Sequence, residues 1–125
     1  HRLALAKVRL DEGEVDLNNF DEARQGQSAE TLWAEVVNTQ PAIEDLVLVH
    51  GDCCPPNILI RPATGEVSGF IDWGRAGISD RYQDLALMLR ELPEELHVPF
   101  FEGYGIVGTI DHEHIAYYQL LDEFF

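Results

Sequence analysis

The chain holds 125 residues, 46% of them apolar, and its eight basic and 23 acidic side chains leave a formal net charge of −15. That length and apolar content suit one domain with a core of its own. The charge repels nucleic acid and anionic membrane surfaces and attracts cations, and no apolar run approaches the ~18 residues of a membrane helix.

Leu3 to Leu10 reads as the tail of a helix, and Asp11 to Gln27 as a polar, acidic loop. Ser28 is a candidate N-cap for a helix over 29–39, with Leu32, Val36 and Val37 on one face and Pro41 ending it. Leu46 to Val49 reads as a buried strand. Pro55-Pro56 holds the next loop away from helix. Ile58 to Arg61 and Glu66 to Ile71 flank the turn sequence Pro62-Ala63-Thr64-Gly65 and form a hairpin. Tyr82 to Leu92 places Leu85, Ala86, Met88 and Leu89 at core spacing. A helix over 93–104 opens with Glu94 and Glu95, acids that suit an N-terminus. Gly103, Gly105 and Gly108 break the chain, and Asp111 starts a final helix through Ile115, Tyr118 and Leu121. His112 and His114 flank Glu113, but residues two apart on a helix diverge, so they read as a solvated helix start. Phe70, Tyr117 and Tyr118 read as core.

The chemistry concentrates in His50-Gly51-Asp52, Asn57 and Asp72. A short strand delivers an acid, an amide follows five residues later, and a second strand (67–71) ends at another acid. Phosphoryl transfer from ATP needs such a set: one carboxylate to take or orient the hydroxyl proton, and an amide oxygen and a second carboxylate to hold Mg2+. Protein kinases use H-R-D-x-x-x-x-N and D-F-G for these tasks. Here His50-Gly51-Asp52-x-x-x-x-Asn57 and Asp72-Trp73-Gly74 stand in their places. A hairpin with polar turns would explain either piece alone, but not their joint spacing. A metallophosphatase would need further Asp/His/Asn clusters after other strands, and the sequence has none.

From Phe20 to Phe125 the chain resembles the C-terminal half of bacterial aminoglycoside 3′-phosphotransferases, the kanamycin and neomycin kinases. The resemblance rests on Val49-His50-Gly51-Asp52, Pro56-Asn57, Val67-Ser68-Gly69-Phe70-Ile71-Asp72, Gly74-Arg75, Asp80-Arg81-Tyr82-Gln83-Asp84-Leu85-Ala86 and Leu120-Leu121-Asp122-Glu123-Phe124-Phe125. It implies a mostly helical α+β lobe of protein-kinase-like fold, with a small hairpin or sheet carrying the catalytic loop. It implies ATP and Mg2+ as cofactors, a polycationic aminoglycoside as partner, and antibiotic resistance as the outcome. Asp52 becomes the catalytic base or orienter, Asn57 and Asp72 the metal ligands, and His50 and Asp84 the braces of the loop. Asp21, Glu22, Arg75, Arg90, Glu91, Glu94, Asp122, Glu123 and Phe125 fall at drug-facing positions. Acids there would accept charge-assisted hydrogen bonds from ammonium groups. Other readings are a kinase of another small alcohol, which the acidic-aromatic tail argues against, and a non-catalytic remnant or binding module.

The sequence contains no Gly-rich loop after a strand and no lysine-bearing strand, and Lys7 is its one lysine. Those parts cover ATP in kinases. The expectation is a single domain over 1–125, the catalytic and substrate-binding lobe without its N-terminal partner, inactive alone and able to self-associate through the uncovered cleft. Cys53 and Cys54 are adjacent, form no zinc or C-x-x-C spacing, and read as loop-packing residues of a reduced, cytoplasmic protein.

Overall fold

A computed structural model describes residues 2–125. Its architecture is the mostly helical α+β type that the sequence predicts. Helix α1 (Arg2–Glu12) leads through short 3-10 turns at Leu17–Asn19 and Glu22–Arg24 to α2 (Ala29–Thr39). Strands β1 (Leu46–Val49), β2 (Ile58–Ile60), β3 (Val67–Phe70) and β4 (Gly77–Asp80) follow. Helices α3 (Tyr82–Glu91), α4 (His97–Tyr104) and α5 (His112–Asp122) complete the order.

The core lies where α5 packs on α3 and α2. Leu32 and Val36 of α2, Leu85, Ala86 and Leu89 of α3, and Ile115, Tyr118, Leu120 and Leu121 of α5 join Phe20 and Phe124 in one cluster. In α2 one stripe is withdrawn from water, while α3 is buried nearly all round from Leu85 to Leu89, at about 1.5–3 kcal/mol for each large side chain. The Ser28 hydroxyl accepts from the Thr31 N–H at 3.2 Å and starts α2. The Asp111 carboxylate does the same for α5, accepting from the Glu113 and His114 amides. Those bonds, with His114, hold the Asp111 carboxyl below its ordinary range.

The strands form two separate antiparallel ribbons, β1 with β4 and β2 with β3. Leu46 faces Asp80 and Val49 faces Gly77 in the first; Ile58 faces Phe70 in the second, with an irregularity at Leu59/Ile60. Strand β4 is absent from the sequence reading because Gly77-Ile78-Ser79-Asp80 carries little strand propensity. Asp80 anchors it: fully buried, it accepts from the Asp45 amide at 2.7 Å and from the Tyr82 amide at 2.8 Å, joining the start of β1 to the start of α3.

Several expectations are corrected. Strand β1 is not buried, since Leu46 is 58% and Leu48 71% exposed. In a two-stranded ribbon only one face meets the helices, and alternation turns these side chains to the other. Val37 and Phe70 are exposed, whereas Tyr117 and Tyr118 are buried. The region 11–27 is not all loop, and the segment 93–104 divides into a 3-10 turn at Glu94–Leu96 and α4. His114 is not simply solvated: its ring sits 4.9 Å from that of Tyr82 and its Nδ1 meets Asp111 at 2.8 Å.

Candidate active site

The loop after β1 is built on Asp84, near the start of α3. Its two carboxylate oxygens accept from consecutive backbone amides, His50 N at 2.6 Å and Gly51 N at 2.8 Å. Gly51 turns the chain there with φ of +87°, a conformation glycine adopts without strain. A Cβ at Gly51 would lie 2.1 Å from the Arg75 carbonyl oxygen, so the backbones of two functional segments touch at this point.

His50 then ties the loop to the second acid. Its Nε2 donates to the Ile71 carbonyl at 2.8 Å, and its Nδ1 accepts from the Asp52 amide at 3.3 Å. The two bonds together require the neutral ring with hydrogen on Nε2. The Ile71 amide donates to the Asn57 carbonyl at 3.0 Å, bracing the same strand end from the other side. Hydrogen bonds through His50, Asn57 and Ile71 therefore tie the loop that carries Asp52 and Asn57 to the strand end that precedes Asp72.

Within that loop, Asn57 donates from Nδ2 to the Asp52 carbonyl at 2.9 Å, with the Asp52 carboxylate 3.4 Å away. That bond fixes the amide orientation and leaves the Asn57 Oδ1 oxygen unengaged among the described residues. Asp72 is the one non-glycine residue with positive φ among the described residues, at +62°, and begins the 3-10 turn Trp73–Arg75. Its carboxylate makes no cap bond and is exposed. An unengaged amide oxygen on Asn57 and an exposed carboxylate on Asp72 are donors of the kind that suits a Mg2+ ion, which takes few protein ligands and completes its shell with phosphate and water. The described residues hold no cluster of three or more His, Cys, Asp or Glu that would suggest a closed metal cage.

The cysteines of this loop stay as thiols. Burial pushes Cys53 up to about 12, with Asp84 adding to the effect, and Cys54 is also raised. Neither offers a thiolate nucleophile near neutral pH.

A second cluster surrounds Asp122 at the end of α5. Arg2 pairs with its Oδ1, Arg90 with its Oδ2 at 3.1 Å, and Arg75 stands 3.8 Å away. The guanidinium of Arg2 lies 4.3 Å from the centre of the Phe125 ring. A cavity of about 580 Å³ opens between Arg2, Arg75, Gln83, Ile78 and Phe125. It adjoins the first network through Arg75, and its wall holds none of Asp52, Asn57 or Asp72.

A third group joins the connector to the chain end. Glu123, with its side chain only 3% exposed, accepts from the Asp21 amide at 3.0 Å and pairs with Arg24 at 3.2 Å. Arg24 also holds the Asp21 carboxylate at 2.8 Å. Burial pushes the Glu123 carboxyl up to about 7, and the neighbouring Asp21 adds to this while Arg24 opposes it. Glu22, Glu91 and Glu94 are exposed and form no ion pair among the described residues.

Sequence reasoning missed Arg2, Arg24 and Gln83. Gln83 had a local signal, since it directly precedes Asp84; its Nε2 donates to the Gly51 carbonyl at 3.3 Å. Arg2 had none, because its partners lie 49 and 120 residues away, and Arg24 had only its near neighbour Asp21, which says nothing of Glu123, 99 residues away.

The fold recurs in known proteins. The model of the phosphotransferase enzyme family (APH) matches residues 2–119. An aminoglycoside 3′-phosphotransferase of Streptomyces fradiae is 44% identical over 98% of this chain and 48% of its own length. One of Escherichia coli is 39% identical over 99% of this chain and 46% of its own. A crystal structure of an aminoglycoside-3′-phosphotransferase of type VIII superimposes with a TM-score of 0.92 at 46% identity, covering 99% of this chain and 50% of that one. A phosphotransferase of Streptomyces rimosus, solved with ADP and streptomycin, gives a TM-score of 0.84 at 28% identity over 98% of this chain and 51% of that one. The chain thus spans about half the length of the relatives it matches. With the family model covering nearly all of it, the chain belongs to the phosphotransferase enzyme family.

Proposed function

We propose that this chain is the acceptor-binding, C-terminal lobe of an ATP- and Mg2+-dependent kinase that phosphorylates a hydroxyl of an aminoglycoside, in the 3′ manner of its relatives, and so confers resistance. The observation that supports this reading is the set of hydrogen bonds that ties the loop of Asp52 and Asn57 to Ile71, the residue before Asp72. Asp52 accepts the proton of the sugar hydroxyl as its oxygen bonds to the γ-phosphorus and the bond to the ADP oxygen breaks. Because the transition state is loose, orientation of the hydroxyl outweighs full deprotonation. The Asn57 Oδ1 and the Asp72 carboxylate would hold Mg2+, which when bound neutralises charge on the phosphates. His50 and Asp84 keep the loop rigid so that these side chains need not reorganise.

The acceptor side is acidic. Exposed Glu22, Glu91 and Glu94 offer carboxylates to ammonium groups, and the net charge of −15 draws a polycation toward them. Asp122, Phe125, Arg75 and Arg90 form the rim, and Glu123 with Asp21 fixes the connector that carries Glu22.

The test is steady-state kinetics with kanamycin on the complete kinase that contains these residues. Asp52→Asn should lower kcat by about 10²–10⁴-fold, and Asp72→Asn should raise the Mg2+ concentration needed for half-maximal rate. A kcat near the parent's in the first, or an unchanged Mg2+ midpoint in the second, would remove that residue from its role.

A further inference from the structure

Arg2 lies outside every motif that pointed to the active site, yet it touches both halves of that site. Its Nη1 donates to the Gly51 carbonyl at 3.1 Å, one residue before Asp52. Its Nη2 donates to the Asp122 carboxylate, on which Arg90 and Arg75 also converge. The guanidinium stacks over Phe125, and its side chain is only 11% exposed. We propose that Arg2 is a positioning residue: a strut that holds the catalytic loop carrying Asp52 in register with the Asp122–Arg75–Arg90 cluster on the acceptor side. This rests on the kinase reading above and adds a residue to it.

Three features support the assignment. Gly51 packs so closely on the Arg75 backbone that even a Cβ would not fit, and its carbonyl, which Gln83 also meets at 3.3 Å, immediately precedes Asp52. The two acceptors lie on different elements, the β1 loop and the end of α5, and the planar fork of a guanidinium can serve both at once. A lysine ammonium at this site would keep the charge but reach one acceptor at a time. Burial lowers the Arg2 guanidinium from its ordinary value while Asp122 opposes this, and Asp52 also acts on it favourably. The charge is thus kept at a cost in desolvation, offset by Asp122.

The experiment compares Arg2→Gln and Arg2→Lys with the parent in the complete kinase. Phosphotransfer to kanamycin is measured alongside amide hydrogen exchange. Both variants should lose at least tenfold in kcat with KM for ATP unchanged. Ethylguanidinium, entering from the adjoining cavity, should restore part of the rate to Arg2→Gln, and ethylammonium should not. Exchange should quicken at residues 51–54 and stay unchanged in α3. A kcat within twofold of the parent in both variants, or loop exchange equal to the parent's, would overturn the proposal. A parent without kinase activity would sink the kinase reading instead, and the exchange measurement would still decide whether Arg2 holds the loop. Should Arg2→Gln not fold, Arg2→Lys, which keeps charge and most of the volume, decides alone.

Discussion

Asp84 shows how much rests on one side chain in this fold. It satisfies two consecutive amides at the turn that aims Asp52, and hydrogen bonds to a charged acceptor are worth about 1.5–3 kcal/mol each. Asp84→Ala leaves both donors without their acceptor, so chemical denaturation of the 125-residue chain should show a loss of about 3 kcal/mol. A loss under about 1 kcal/mol would mean that water replaces the carboxylate freely. The loop residues could be chosen from sequence because residues 50 to 72 are close in the chain and their types are few. Arg24 could not, because an arginine in a polar connector says nothing of a carboxylate 99 residues ahead.

Helices α2, α3 and α5 were legible in sequence because their apolar residues recur at helical spacing, and α2 and α5 have caps that can be read from residue type. Ser28 is the clearest case, and Ser28→Ala should destabilise the fold by about 1 kcal/mol in thermal or urea unfolding. An unchanged midpoint would show that α2 is held by Leu32 and Val36 alone. Strands were harder to read. The run Leu46-Val47-Leu48-Val49 looks buried on both faces, yet its partner is a four-residue strand of unremarkable composition, and the pair covers only one face. Nothing in a short apolar run states how many faces are covered. The hairpin β2–β3 was legible because Pro62 to Gly65 supply a turn between two strand-like runs.

Across the molecule, acid outweighs base so heavily that protonation becomes a structural variable. Glu123 carries the clearest consequence. Its carboxyl is raised by burial, and by Asp21, from about 4.5 to about 7 in the folded state. The folded chain keeps a proton that the unfolded chain releases, so this group's stabilising share is complete below about pH 4.5 and is lost as pH rises through about 7. Asp21 and Arg24 of the connector are the charged groups facing it; Asp122 beside it turns to Arg2, Arg75 and Arg90. Urea unfolding of the parent and of Glu123→Gln between pH 4.5 and 8 should therefore diverge, the parent losing stability relative to the variant as pH climbs. Parallel profiles would show that Glu123 is already ionised in the fold. The two tryptophans divide the same molecule into optical compartments. Trp33 meets Phe124 edge-on at 5.8 Å beside the core, whereas Trp73 is half exposed, with the His50 ring 4.5 Å away and Asp72 immediately before it in the chain. With Trp33 replaced by phenylalanine, the remaining indole becomes a built-in fluorophore beside the Asp72 turn, where the proposed metal would sit. Nucleotide or cation arrival could then be followed by emission in real time, without attaching a dye.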